Sequence, residues 1–139
     1  MTPFETATAF FEALDTCQGW EGCQPYAAES GEFSCQADAI ADITDLAAYC
    51  EWMKAVGTTA LAGCRYELHA SSYDESSRTA MFFGTFIATH VGEGGPVPPT
   101  GKETKSHYVY AITLNEDGKV CKLVKIWNSN WSLGELGWG

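Results

Sequence analysis

"RTAMFFGTFIATHVGEGGPVPPTGKETKSHYVYAITL" (Arg78–Leu114) is the stretch that decides the fold. Its flanks are long runs of apolar, aromatic and β-branched residues, the composition of strands packed on a pleated surface. Between them lie four glycines and three prolines, so the chain turns there and extends neither run. Downstream, "NEDGK" separates this segment from "VCKLVKIWNSNW", and Asp117-Gly118 between two such runs is a strong hairpin signal. The second half therefore reads as antiparallel strands.

The end of the glycine–proline loop, "TGKE", looks like part of a phosphate-binding loop, but the spacing fails. A P-loop needs G-x-x-x-x-G-K-[ST]. Counting back from Gly101 puts Pro96 at the first glycine, and Glu103 stands where a hydroxyl must reach the metal. Pro96, Pro98 and Pro99 also lack the N–H donors that cradle an anion. A nucleotide is excluded here.

The first half reads as helices. Thr2 caps the first, Pro3 suits its first turn, and Glu5 completes a T-x-x-E capping box. Phe4, Ala7, Phe11 and Leu14 then recur at helical spacing, and "CQGW" ends the run with Gly19 as a left-handed cap. "WEGCQPYAAE" predicts a short second helix, weakened by Gly22 and Pro25, and "SGEFSCQ" a short strand or loop. A third helix is expected from about Thr44, as cap, to Val56, with Leu46, Tyr49, Cys50 and Met53 on one face. "CRYELHAS" alternates as a strand and "SYDESS" turns; the closing "SLGELGWG" is a short tail. Helices followed by antiparallel strands make an α+β domain spanning residues 1–139.

Composition narrows the function. The chain has 139 residues, 45% hydrophobic and 19% charged, enough to bury a core as one domain. No apolar run is long enough to span a membrane, and the N-terminal stretch lacks the basic start of a signal peptide; a cytoplasmic protein is expected. The net charge of −10 is concentrated in residues 1–76, which hold thirteen acids against two bases. Such a surface repels phosphate backbones, so no nucleic acid is expected as partner. Six cysteines stand at positions 17, 23, 35, 50, 64 and 121 without C-x-x-C spacing. They read as buried small hydrophobes, with Cys17 and Cys23 the pair to check, and no metal site is expected. His69 with Glu67 forms an isolated His-x-Glu relation on one strand, two candidate ligands without a third.

The second half resembles a known family. Thr89-His90-Val91-Gly92, then Pro98 to Lys102, then Asp117 to Val120, then Leu136-Gly137 are similar to the pattern of the SnoaL-like polyketide cyclases, a branch of the nuclear-transport-factor-2-like superfamily. The resemblance implies a cone-shaped, cystatin-like α+β barrel: a curved antiparallel sheet wrapped around N-terminal helices, with an apolar pocket at its mouth. It also implies a homodimer through the open sheet face. Two positions depart from the pattern. The W-D near the end of the last strand is Trp127-Asn128, and the P-D-[LIV]-R segment is Ala62-Gly63-Cys64-Arg65. The family's pocket carboxylate, which moves a proton beside a carbonyl, has no counterpart at those positions.

The remaining candidates for acid–base work are His90, matching the family histidine, His107 on the next strand, and Glu103 between them as a substitute carboxylate. The hydroxyl of Tyr108 and the amide of Asn128 are candidate hydrogen-bond donors to a substrate oxygen. Trp20, Tyr26 and Phe86 are candidates to pack a flat ligand. Both faces of the strand carrying Phe82 and Phe83 are apolar, one suited to a pocket and the other to a subunit interface. The expected ligand is a small apolar or polycyclic carbonyl compound. The expected chemistry is cyclisation, isomerisation or dehydration without metal or organic cofactor; the alternative is a non-catalytic binding or dimerisation module.

Overall fold

The computed structural model describes residues 1–139. Helix α1 (Pro3–Asp15) begins on the expected capping box: Thr2 Oγ1 accepts from Glu5 N at 3.1 Å and Glu5 Oε1 from Thr2 N at 2.8 Å. That exchange satisfies two otherwise orphaned N–H groups and contributes about 1 kcal/mol. Helix α2 (Gly19–Cys23) is a single turn, continued by a 3₁₀ turn at Gln24–Tyr26, because Pro25 ends α-helical bonding. Helix α3 (Leu46–Thr58) is capped by Asp45, one residue after the expected Thr44, with the carboxylate accepting from Ala48 N at 3.0 Å. Leu46, Tyr49, Cys50 and Met53 are all buried, as their spacing requires.

Five strands form one sheet: β1 (Ala27–Cys35), β2 (Arg65–Asp74), β3 (Thr79–Thr89), β4 (Glu103–Leu114) and β5 (Val120–Trp127), in the order β1-β5-β4-β3-β2. The sheet is curved and unclosed. β2 to β5 pair antiparallel, but β1 joins β5 in parallel, so the sheet is mixed where the sequence suggested antiparallel strands alone. The stretch "SGEFSCQ" thus belongs to a full edge strand. The sequence also understated the end of the chain: residues read as strand and tail form helix α4 (Ser129–Glu135), with the Asn128 side chain accepting from Trp131 N at 3.1 Å. No helix is long and apolar enough to cross a membrane.

Strand periodicity sorts the side chains onto two faces. Along β4, Thr104, Ser106, Tyr108, Tyr110, Ile112 and Leu114 are buried on the concave face, while Glu103, Lys105 and His107 are exposed on the other. The concave face takes α1 and α3 in its hollow. Phe11 stacks on Phe82 with centroids 4.7 Å apart, and Phe33 stacks on Tyr49 at 4.0 Å. Fully burying each such ring contributes about 2–3 kcal/mol, which holds the helices to the sheet. The opposite face leaves Leu68, Met81, Phe83 and Ile126 exposed.

The glycine–proline loop folds back on α3. Val91 N and Gly92 N both donate to Ala60 O, and a Cβ on Gly92 would lie 2.3 Å from Thr59 O, so that position accepts no side chain.

Candidate functional site

A buried carboxylate lies at the end of α1. Asp15 is 4% exposed. Tyr108 donates to its Oδ2 in a very short hydrogen bond, and Tyr110 donates to its Oδ1 at 2.9 Å. Burial raises its pKa to about 6, against the opposing pull of the two tyrosines and of Lys125. Tyr108 faces it because of a local vacancy. Gly84 is its register partner on β3, and a Cβ there would come within 3.3 Å of the Tyr108 ring.

Across the hollow, β5 contributes an equally unusual group. Leu123, Lys125 and Trp127 share the concave face, so Lys125 is only 7% exposed. Its Nζ donates to Tyr49 Oη at 2.9 Å and lies 4.3 Å from the Trp127 ring centroid, with Tyr49, Trp52, Tyr108 and Tyr110 rings at 5.3–5.8 Å. Cation–π attraction offsets part of the desolvation, yet burial still lowers its pKa to about 8. Tyr49 Oη in turn lies 2.7 Å from Tyr110 Oη. An unbroken hydrogen-bonded chain therefore runs from Lys125 through Tyr49 and Tyr110 to Asp15. The ion pairs lie elsewhere, on the surface: Arg78–Glu116 and Lys105–Glu103. Burial first, and the Asp15 charge second, push the hydroxyls of Tyr49, Tyr108 and Tyr110 well above the ordinary tyrosine pKa, so they stay protonated as donors.

These groups border a narrow cavity of about 30 Å³, room for roughly one water. Asp15, Lys125, Tyr108 and Tyr110 form its polar side; Trp52, Phe86, Trp127 and Leu133, Leu136 and Trp138 form the apolar side. The wall made by α4 and the residues after it is fastened by side chains. Thr100 Oγ1 donates to Leu136 O at 2.6 Å, and Glu135 Oε1 accepts from Thr104 Oγ1 at 2.8 Å and Lys105 N at 3.0 Å. Ser106 accepts from the Trp127 indole at 3.1 Å and so fixes the ring that covers Lys125.

The sequence-expected residues disperse over this architecture. His90 is fully buried behind Trp138, with Nδ1 accepting from the Trp138 indole at 2.8 Å and from Thr100 N at 3.2 Å, while Nε2 has no partner. Two N–H donors at Nδ1 fix the neutral tautomer with hydrogen on Nε2. Glu103 points away from it on the exposed face, 3.8 Å from Lys105, so neither a Glu103–His90 nor a Glu103–His107 pair forms. His107 packs on Phe83, rings 5.8 Å apart, outside the cavity. Of the expected ligand contacts, Phe86 and Tyr108 line the cavity. Trp20, on α2, and Tyr26, on the 3₁₀ turn after it, are half-buried against the main core and do not line the cavity. Asn128 is spent on capping α4 and borders a separate open depression of about 430 Å³ on the outer face, with His107, Phe83 and Ile126. His69 sits at a β-bulge between Leu68 and Ala70, which aims its ring at Thr85 Oγ1, 2.7 Å away. Cys17 lies beside Cys64, Sγ atoms 3.7 Å apart, and Cys23 beside Cys50; Cys17 and Cys23 do not pair.

Asp15 and Lys125 were not singled out by sequence reasoning, and Tyr49 was read only as part of a core stripe, although signals existed. Asp15 stands four residues after Phe11 on the buried stripe of α1, and Lys125 alternates with Leu123 and Trp127.

No protein-family model and no curated protein matches the sequence. Solved structures do match the fold. IdmH of Streptomyces antibioticus, provisionally assigned as a polyketide cyclase, superposes with a TM-score of 0.77 at 14% identity over 99% of each chain. A protein of Jannaschia sp. CCS1, provisionally assigned as a SnoaL-like polyketide cyclase, gives 0.76 at 12% identity, covering 96% of this chain and 90% of its own. An NTF2-like protein of Burkholderia thailandensis E264 gives 0.74 at 16% identity, covering 99% and 98%.

Proposed function

We propose that this chain, which has the nuclear-transport-factor-2-like fold shared by SnoaL-like cyclases, binds a small carbonyl compound and moves a proton beside its carbonyl group. One observation carries the proposal: the Asp15 carboxyl, with a pKa of about 6, is held by two tyrosine hydroxyls at the wall of an aromatic cavity. A carboxyl tuned that close to neutrality exchanges protons in both directions with little penalty, as a general acid–base must. The ring faces of Phe86, Trp52 and Trp127 suit a flat apolar ligand. Admitting more than a water-sized group requires the Leu133–Trp138 wall to swing outward, which it can do by releasing a handful of side-chain hydrogen bonds.

Cyclisation, isomerisation and dehydration all share the removal of an α-proton, so the first test is the shared step. Bicyclic ketones such as 2-tetralone, incubated with the protein in deuterated buffer, are followed by NMR for α-hydrogen exchange. Exchange above the buffer rate that drops by roughly 10²–10⁴ in Asp15→Asn supports the assignment. Exchange at the buffer rate with wild type means a binding module without catalysis.

The outer sheet face supports the companion proposal of a homodimer. Leu68, Met81, Phe83 and Ile126 are exposed there together, an apolar surface that a second copy of the chain would cover.

A further inference from the structure

We infer that Lys125 is a nucleophilic amine that captures the ligand carbonyl as an imine, which makes the site a covalent one; the inference rests on the reading that the cavity takes a carbonyl compound. Three observations converge. Lys125 lines the cavity, and its Nζ lies 4.3 Å from the Trp127 ring centroid and 5.3 Å from that of Tyr49. It has one hydrogen-bond partner, the Tyr49 hydroxyl, so two of its three N–H donors have no partner within the protein. And the chain Lys125–Tyr49–Tyr110–Asp15, with spacings of 2.9, 2.7 and 2.9 Å, is oriented to carry a proton away from the amine: Nζ donates to Tyr49 and Tyr110 donates to Asp15.

A shift of one proton along that chain turns the ammonium and carboxylate into a neutral amine and a carboxylic acid, each in the form that imine chemistry needs. The amine nitrogen then attacks the carbonyl carbon. The carbonyl oxygen takes a proton, the nitrogen loses one, and a carbinolamine results. Protonation of its hydroxyl by Asp15 releases water and leaves an iminium on Lys125 opposite the Asp15 carboxylate. No oxidant, reductant or further reactant is consumed. The iminium withdraws electrons from the α-carbon, so the same carboxylate now faces a far more acidic C–H, and the proton transfer proposed above follows from the capture. A buried lysine serving only as a cation–π anchor would need no such path to a carboxyl group. The residue is thus proposed as catalytic, and Tyr49 as the positioning residue of the relay.

Benzaldehyde with sodium cyanoborohydride at pH 7.5 tests this in the folded 139-residue chain. Hydride reduces any iminium to a stable secondary amine, and peptide mapping by mass spectrometry locates it. With a pKa of about 8, Lys125 holds roughly a quarter of its amine neutral at pH 7.5, and Lys122, exposed on the same strand, is the internal comparison. Labelling of Lys125 well ahead of Lys122, and slowed in Tyr49→Phe, supports the assignment. Tryptophan fluorescence quenching by benzaldehyde without hydride reports non-covalent entry. Quenching with Lys122 labelled and Lys125 spared overturns covalent capture while leaving the carbonyl-binding reading intact. Neither quenching nor labelling at Lys125 overturns both. Lys125→Met, if it folds, abolishes the site-specific label; the wild-type map decides the matter even if it does not.

Discussion

The Trp138 indole donates to Nδ1 of His90 at 2.8 Å, across forty-eight residues of sequence. The histidine at the entrance of the glycine–proline loop is therefore a strut: it fixes a ring of the cavity wall, and its accepting nitrogen is already occupied. His90→Ala strips two N–H groups of their acceptor and opens a void. The expected loss is about 2–4 kcal/mol in urea unfolding. In ketone exchange the same variant raises KM through a looser wall while kcat stays within roughly tenfold. A collapse of kcat with KM unchanged would make His90 the acid–base group itself.

Asp15 gives the protein a pH signature. Its folded pKa, about 6, lies above the ordinary 3.8, so the folded state holds the proton more tightly than the unfolded one. Its contribution to stability is then most favourable below the unfolded value and declines as the pH rises towards the folded value. Asparagine does not titrate. The stability of wild type relative to Asp15→Asn should fall by about 3 kcal/mol from about pH 4 to about pH 6 and level off above. Urea unfolding across that range measures it. A flat difference would mean that the carboxyl is hydrated.

Cys17 and Cys64 should form a disulfide on mild oxidation, while Cys17 and Cys23 should not. The sulfurs already touch at 3.7 Å between the end of α1 and the turn before β2. Closing the 47-residue separation contributes up to about 4 kcal/mol on the chain-entropy account. Non-reducing peptide maps identify the pair, and Cys64→Ser should abolish both the linkage and the oxidation-dependent stabilisation.

Phe83→Glu with Ile126→Lys should leave the fold intact and yield monomers. Both side chains are exposed on the outer face, 39% and 61%, so neither substitution disturbs the core. Light scattering should give twice 15.1 kDa for wild type and the single mass for the variant. A wild-type monomer at high protein concentration removes the dimer proposal.

What the sequence made legible was local. The capping box of α1, the buried stripe of α3, and the two strands on either side of the glycine–proline loop all follow from neighbours within a few residues. The α4 helix escaped because "SNWSLGE" has no apolar stripe to announce it; only Asn128 as a cap pointed there. The parallel attachment of β1 escaped because its partner lies some ninety residues away, and no local signal records direction. The site escaped for a related reason. Tyr108 was legible, but its partners Asp15, Tyr49, Tyr110 and Lys125 come from α1, α3, β4 and β5, and each of these resembles an ordinary surface or core residue until the fold brings the others to it. The loop histidine, His90, neighbours the cavity wall through Trp138, and the buried carboxylate, Asp15, stands at the end of the first helix.

The position of β5 between β4 and β1 also orders events in time. Until residues 120–127 leave the ribosome, β1 has no strand to pair with, and the hollow that receives α1 and α3 lacks the wall bearing Leu123 and Lys125. The first half then lacks that wall, and the thirteen acids of residues 1–76 give it a net negative charge that opposes self-association. Ribosome-stalled chains ending before β5 should remain protease-sensitive throughout, and protection should arrive in a single late step.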